Sequence, residues 1–506
     1  MRYTISPREM KRVEQRYMAE TNTPSLALME HAAAHVADAA MPFLWHGAKL
    51  LVLAGTGNNG GDGLAAARML LSRFETLRCV VFQLAGKLST ETLEQTNRLK
   101  PFADRVDILG IDGEIPPIPL DCACAIDALV GTGLSRALSG AARAIAEELN
   151  ETELPVIAVD IPSGLDGSTG YPPEDGVAVQ AAVTVTFHRA KDGLYLGDGP
   201  DLCGEVIVGE LGIPETFDDA KGFAVMERED VRRCPRRRNT HKGSYGRVLA
   251  LTGSFGMAGA AGICAAAALR SGAGMVTVAC PEEIVHTVQC LMPCATCLPL
   301  PAGNAWPALA PALDKADALV AGCGLGRSHS VSQLAERLIQ VLCSRQLPAV
   351  LDADALNCLA DYQDDFKAQH LRFPEHVVLT PHLGEAARLL RWPVEQVKRN
   401  QAEAARALRA QYGGSVVLKS ASSVLIAQDG EAVNRFGTPA MAKAGSGDAL
   451  AGVLGALLAG QKEYRLSGVR LLQTACALHG LAGEAAAKKY GEHGLLATDL
   501  YDYLDR

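Results

Sequence analysis

Two consecutive α/β domains are what the sequence predicts, the first a Rossmann-like three-layer domain. Short apolar runs of strand length alternate with helix-length segments in both halves of the chain. Strands separated in this way form parallel β-α-β units whose sheet carries helices on both faces. The alternation weakens between Ile213 and Gly246, where Pro214, the acidic pair Asp218 and Asp219, and the basic run Arg236, Arg237 and Arg238 replace it. Length agrees, since 506 residues exceed what one hydrophobic core usually organises. The boundary is placed near residue 220, giving domains 1–219 and 220–506.

The first half opens with a helical pattern through Met29 and His35, followed by strands expected at 50–54, 77–82, 122–126, 156–159 and 182–187. From Arg247 onward strands are expected at 248–252, 275–279, 318–321, 349–351, 377–379 and 416–418, with Ala-rich helices at 258–270 and 448–459. The basic run between the halves reads as a solvated linker or an edge of the second domain, and no chemistry is assigned to it.

Apolar residues make up 48% and charged residues 21%, values of an ordinary soluble globular chain. The net charge of −9 argues against broad binding to nucleic acid or anionic membrane, so a phosphate-bearing ligand needs a local anion site. Fourteen cysteines are scattered without a secretory signal pattern, so free thiols in a reducing cytoplasm are expected, most of them buried. Cys290, Cys294 and Cys297 include one C-x-x-C pair but no partner pair, and are expected to pack in the core rather than bind metal. The apolar runs are far shorter than the roughly 20 residues that cross a bilayer.

Directly after the first strand stands Gly55-Thr56-Gly57-Asn58-Asn59-Gly60-Gly61-Asp62-Gly63, then a helical run through Leu71. Glycines at a strand end let backbone N–H groups approach a phosphate, and the helix N-terminus adds a favourable dipole. Close packing alone would explain the glycines, but not the crowding of two Asn and an Asp among them. Asp127 opens Asp127-Ala128-Leu129-Val130-Gly131-Thr132-Gly133-Leu134, and Asp160 opens Asp160-Ile161-Pro162-Ser163-Gly164-Leu165-Asp166-Gly167. Carboxyl ends of parallel strands converge on one crevice, so these three segments are expected to form one site.

These segments, with Leu28-Met29-Glu30-His31-Ala32, resemble the NAD(P)H-hydrate epimerase family over residues 1 to 215. The resemblance implies that the hydrated dinucleotide is held by Asn58, Asn59, Gly60, Gly61 and Asp62, by Gly131, Thr132, Gly133, Leu134, Ser135, Arg136 and Ala137, and by Asp160. It also implies a potassium ion held by Asn59, Asp127 and Ser163, although the residues alone do not identify the metal. Epimerisation breaks and re-forms a bond at the ring carbon bearing the hydroxyl, with Asp160 expected as the acid/base. Lys191 resembles the lysine of a family Lys-Pro-Gly turn in which Asp192 replaces Pro, and its role is left open; neighbouring His188 reads as a surface residue at a strand end.

The second half begins with Thr240-His241-Lys242-Gly243-Ser244-Tyr245-Gly246-Arg247, a strand, and Gly253-Ser254-Phe255-Gly256-Met257-Ala258-Gly259-Ala260-Ala261-Gly262. For Ala261 and Gly262 both ligand approach and helix–sheet packing remain open. Later strand ends carry Gly322-Cys323-Gly324-Leu325-Gly326, Asp352-Ala353-Asp354-Ala355-Leu356, Thr380-Pro381-His382-Leu383-Gly384-Glu385 and Lys419-Ser420-Ala421-Ser422-Ser423. Ala444-Gly445-Ser446-Gly447-Asp448 then opens a helix, an anion hole with an acid at its mouth.

In this order the segments resemble the NAD(P)H-hydrate dehydratase family, whose fold is ribokinase-like. The resemblance implies contacts from Ala261, Gly324, His382 and Asp448 to the hydrates NADHX and NADPHX, with Asp448 assisting departure of water. It places an adenine nucleotide on Lys419, Ser420, Ala421, Ser422, Ser423 and Gly447, with ADP chosen by analogy, ATP as the alternative nucleotide and magnesium as a possible companion ion. Assembly with further copies is expected, since such folds often associate through exposed helices. Two rival readings are a ribokinase-like small-molecule kinase and a non-catalytic binding scaffold; intact polar residues at every N-terminal strand end weigh against the scaffold.

Overall fold

The computed structural model describes residues 2–134, 136–219, 221–233 and 235–504. The described residues divide into two compact units, Tyr3–Phe223 and Ala224 onward, the latter joined by Arg2.

The first unit is built on a parallel sheet of seven strands among the described residues. Their order is Val106–Ile111, Arg78–Leu84, Lys49–Ala54, Cys124–Ala128, Val156–Val159, Val183–Phe187 and Glu205–Gly209. The sequence direction reverses between Lys49–Ala54 and Cys124–Ala128, which opens a crevice at their carboxyl ends. One face of the sheet is covered by helices Pro7–Thr21, Ser25–Ala40 and Asn58–Arg73, which bury Val13, Leu28, Val36, Leu64 and Leu70. The other is covered by helix Gly140–Asn150, burying Ile145, Ala146 and Leu149. This is the three-layer arrangement expected.

In the second unit the sheet runs Ala224–Val225, Gly430–Val433, Val424–Ala427, Gly413–Leu418, Phe373–Leu379, Ala349–Leu351, Ala318–Ala321, Arg247–Leu251, Met275–Pro281 and Thr296–Leu300. From Gly413–Leu418 to Thr296–Leu300 its pairings are parallel, and Val424–Ala427 and Gly430–Val433 add an antiparallel hairpin. Helices Ala258–Arg270 and Ser446–Ala459 are buried along most of their length.

Three differences from the sequence reading have physical causes. The residues of Asn58–Gly63 are already helical, so Asn59 and Asp62 stand at i and i+3 on one helical face rather than in a turn. Their glycines serve packing: a Cβ at Gly60 would lie 2.1 Å from the Gly55 carbonyl oxygen, and one at Gly63 2.6 Å from Ala128 Cβ. The strand expected at 122–126 lies two residues later, so Asp127 is inside it, fully buried. Cys290 and Cys294 are exposed and Cys297 half-buried, so the expectation of core packing is corrected. Helix Val285–Leu291 presents Cys290 to solvent and buries Val288. Among the described cysteines all are free, and most are buried. No helix among the described residues is long and apolar enough to cross a membrane.

Candidate active sites

The crevice of the first unit is a cavity of about 580 Å³. Asn58, Asn59, Asp62, Gly131, Thr132, Gly133 and Asp160 line it, together with Glu14, Met29, Leu129 and Phe187. Gly60 and Gly61 are buried within the first turns of helix Asn58–Arg73, where they let it pack against Gly55 and Met29 instead. Leu134 packs toward the core and Arg136 is exposed; neither these nor Ala137 line the cavity, and Ser135 lies outside the described residues.

Asp160 follows strand Val156–Val159 with a left-handed backbone (φ 68°), fixed by its N–H donating to the Val185 carbonyl at 2.7 Å. Lys191 is buried, with its ammonium 2.6 Å from Asp160 Oδ1 and donating to Thr186 Oγ1 and the Phe187 carbonyl, each at 3.1 Å. Thr186 Oγ1 in turn donates to Asp160 Oδ1 at 3.1 Å. Lys191 therefore belongs to the site as the ion-pair partner of Asp160. His188 is not a surface residue: its ring is buried against Asp218 at 2.7 Å, and Arg189 closes on the same carboxylate.

Asp127 accepts from Ser163 N–H (2.8 Å), Ser163 Oγ (2.6 Å) and Leu129 N–H (3.3 Å). These bonds allow a carboxylate inside a strand, but burial still pushes it up to about 6, and no described basic side chain forms an ion pair with it. The Asn59 amide, oriented to satisfy its neighbours, donates to the Val159 carbonyl at 3.1 Å and accepts from Gly131 N–H at 3.3 Å. Oxygen-rich and lacking a counter-charge, the set of Asn59, Asp127 and Ser163 suits a hard cation.

Two further carboxyls face the cavity. Burial, with the charges of Asp160 and Glu14, holds Asp62 well above the usual carboxylate range. Glu14 is pushed up to about 7, by burial first; Lys191 pulls it down and Asp160 pushes it up. Glu14 was not foreseen, because it sits in an amphipathic helix with no motif around it.

In the second unit four strand ends meet around Asp352, which is 2% exposed. Its Oδ1 accepts from Lys419 Nζ at 2.5 Å and Thr380 Oγ1 at 2.8 Å, while Cys323 Sγ lies 3.9 Å from Oδ2. Donor atoms of Cys323, Asp352 and Asp448 fall within 4.8 Å of one another. Asp448, in the first turn of helix Ser446–Ala459, is raised by burial and by the charge of Asp352; Cys323 and Lys419 act in the opposite sense. Burial works against the Lys419 ammonium, but Asp352 and Glu385 outweigh it and raise its pKa. Gly322 (φ 121°) has no room for a side chain, since a Cβ there would lie 1.8 Å from the Asp352 carbonyl oxygen. Asp352 and Cys323 were visible within their motifs, but their convergence with Asp448 depends on tertiary structure.

Gly447 lies beside this pair, a Cβ there falling 3.4 Å from Lys419 Nζ. Gly324 (φ 58°) closes on Ala260 and Met257, and Ala261 is fully buried beneath the loop, so its side chain packs rather than faces open space. His382 caps helix Leu383–Leu390: its Nδ1 accepts from Gly384 N–H (3.0 Å) and Glu385 N–H (3.3 Å), and its side chain remains 54% exposed. Ser420 Oγ donates to Gln401 Oε1 at 2.8 Å and to the Ser422 carbonyl at 2.9 Å, while Ala421 stands exposed at the tip of the loop. Ser422 and Ser423 are buried. The basic run is separate from this site; Arg236 lies 3.9 Å over the Tyr245 ring and donates to the Gly272 carbonyl.

Residues 248–506 match the family described as NAD(P)H-hydrate dehydratase, and residues 25–193 match the YjeF-related protein N-terminus family. The bifunctional NAD(P)H-hydrate repair enzyme Nnr of Coxiella burnetii is 37% identical over 90% of this chain and 89% of its own length. The enzyme of that name from Moorella thermoacetica is 35% identical over 99% and 96%, and that from Escherichia coli 34% over 94% and 87%. A crystal structure of ADP/ATP-dependent NAD(P)H-hydrate dehydratase from Bacillus subtilis, co-crystallized with ATP and Mg2+, is 31% identical, with a TM-score of 0.46 over 55% of this chain and 95% of that one.

Proposed function

This chain belongs to the family of bifunctional NAD(P)H-hydrate repair enzymes, and from that membership we propose how its two units divide the work. The first interconverts the R and S forms of hydrated NADH and NADPH; the second removes water from the S form with an adenine nucleotide bound. The observation that carries this reading is that each sheet gathers its own carboxylate centre at its strand ends: Asp160 with Lys191 in one, Asp448 with Asp352 and Lys419 in the other.

In the first centre Asp160 exchanges a proton with the oxygen that leaves or joins the ring carbon bearing the hydroxyl, and Lys191, 2.6 Å away, positions it. Asn58, Asn59, Asp62 and the Gly131–Gly133 turn bind the dinucleotide. Asn59, Asp127 and Ser163 would hold potassium, which supplies the positive charge that buried Asp127 lacks.

In the second centre Asp448 hydrogen-bonds the substrate hydroxyl. Burial and the charge of Asp352 raise its pKa, the direction that helps it pass a proton to that hydroxyl as it leaves. Lys419 to Ser423 and Gly447 hold the nucleotide, ADP in this reading, with ATP and magnesium accommodated as in the Bacillus relative named above. The bound phosphates supply negative charge beside Lys419, and Gly324 and His382 border the substrate.

Purified protein incubated with separated R and S hydrates is expected to interconvert them without nucleotide and to regenerate reduced nicotinamide absorbance when ADP or ATP is added. Exchanging potassium for lithium should slow only the interconversion. A phosphorylated product would mark a kinase instead, and absence of any reaction a scaffold.

A further inference from the structure

We propose that Glu14 is a second proton-carrying group of the epimerising site, acting on the substrate hydroxyl from the helix side of the cavity while Asp160 acts from the sheet side. The inference rests on the epimerase reading above. Helix Pro7–Thr21 presents Pro7, Met10, Lys11, Glu14 and Met18 to the cavity, a stripe at spacings of three and four residues. Within that largely apolar stripe Glu14 makes no hydrogen bond or ion pair to any described residue, so its carboxyl is held against the cavity without a structural partner. An unpartnered carboxyl half-buried among methionines is costly unless the site uses it.

The charged groups facing Glu14 are Lys11 on its own helix, Asp62 from helix Asn58–Arg73, Asp160 beyond strand Val156–Val159 and Lys191 beyond strand Val183–Phe187. Asp160 is ion-paired to Lys191, whereas Glu14 is not, so the two carboxyls meet the substrate in different environments. Such a difference assigns one group to give a proton and the other to accept it. Glu14 titrates near 7, where a group can both release and regain its proton at working pH. Asp62, raised by its burial and by the charges of Asp160 and Glu14, lines the same wall of the cavity.

The step balances without an oxidant or reductant. Glu14 gives its proton to the departing hydroxyl, the C–O bond breaks, and the lone pair of the adjacent ring nitrogen forms a C=N bond as water leaves. Water then adds to the other face of that carbon, the C=N pair returns to nitrogen, and the surplus proton passes to Asp160. Exchange with solvent resets both carboxyls, and in the reverse direction their roles exchange.

The test uses the full-length protein as wild type, Glu14→Gln and Glu14→Asp, with R/S interconversion followed across pH and S-hydrate dehydration measured in the same preparations. Wild-type interconversion should decline by about tenfold per pH unit once Glu14 has lost its proton. Glu14→Gln should lose roughly 100-fold or more in kcat, with KM little changed and that pH limb abolished. Glu14→Asp should recover part of the rate and the limb, and dehydration should match wild type in all three. A Glu14→Gln protein with wild-type kcat and pH profile, or one altered in KM alone, would overturn the role of Glu14 while leaving the epimerase reading intact. Failure of wild type itself to interconvert the hydrates would overturn both.

Discussion

At the scale of the residue, Asp160 combines three constraints: a left-handed backbone, a 2.6 Å ion pair to Lys191 and a place on the cavity wall. Asp and Asn are the non-glycine residues that most readily adopt this conformation, so Asp160→Asn should keep the fold while removing the carboxylate. Interconversion is then expected to fall by roughly 10²- to 10⁴-fold with dehydration unchanged, as separate assays of the two reactions would reveal. Asp448→Asn should do the reverse. Both carboxylates were legible because each sits in a dense local motif of glycine and polar residues that turn chemistry alone does not require. Glu14 was not legible, nor was the burial of Lys191 and His188. Their neighbours come from distant segments, and nothing in the flanking sequence announces them.

At the scale of the element, strands buried on both faces were readable as unbroken apolar runs, as in Ala318–Ala321 and Ala349–Leu351. Strand Val106–Ile111, at the sheet edge and largely exposed, carries no such run and went unseen, as did the short hairpin strands Val424–Ala427 and Gly430–Val433. Helix Gly468–Tyr490 contributes a buried His479, whose ring lies 3.5 Å from Ser446 Oγ at the start of the Asp448 helix. Burial lowers its pKa from 6.5 to about 4, so the folded state holds the neutral ring. Between those values the unfolded chain binds the proton more readily, and stability therefore rises with pH. His479 should contribute up to about 3 kcal/mol that is intact above pH 6.5 and lost as pH falls through 4. Denaturant titrations across that range should show the loss in wild type and its reduction in His479→Gln.

At the scale of the whole molecule, the two carboxylate centres lie on separate sheets, so neither reaction requires the other's catalytic groups on the same chain. Mixing Asp160→Asn protein with Asp448→Asn protein should restore complete recovery of NADH from the R hydrate, because the S form made by one protein is free to reach the other. Incomplete recovery at high concentrations of both would show that the intermediate must pass within a single molecule. The first unit also allows a prediction about packing. Gly63→Ala would set a methyl 2.6 Å from Ala128 Cβ and should cost about 1–3 kcal/mol, read as a lower melting temperature. The first turns of the helix bearing Asn59 and Asp62 thus sit directly on the Gly55 carbonyl and on the Ala128 side chain, with glycines where larger residues would hold them apart. Whatever moves the core moves the binding residues by the same amount, and local loosening has little slack to absorb. On gradual heating, interconversion should therefore persist until this unit melts cooperatively and then vanish at that temperature.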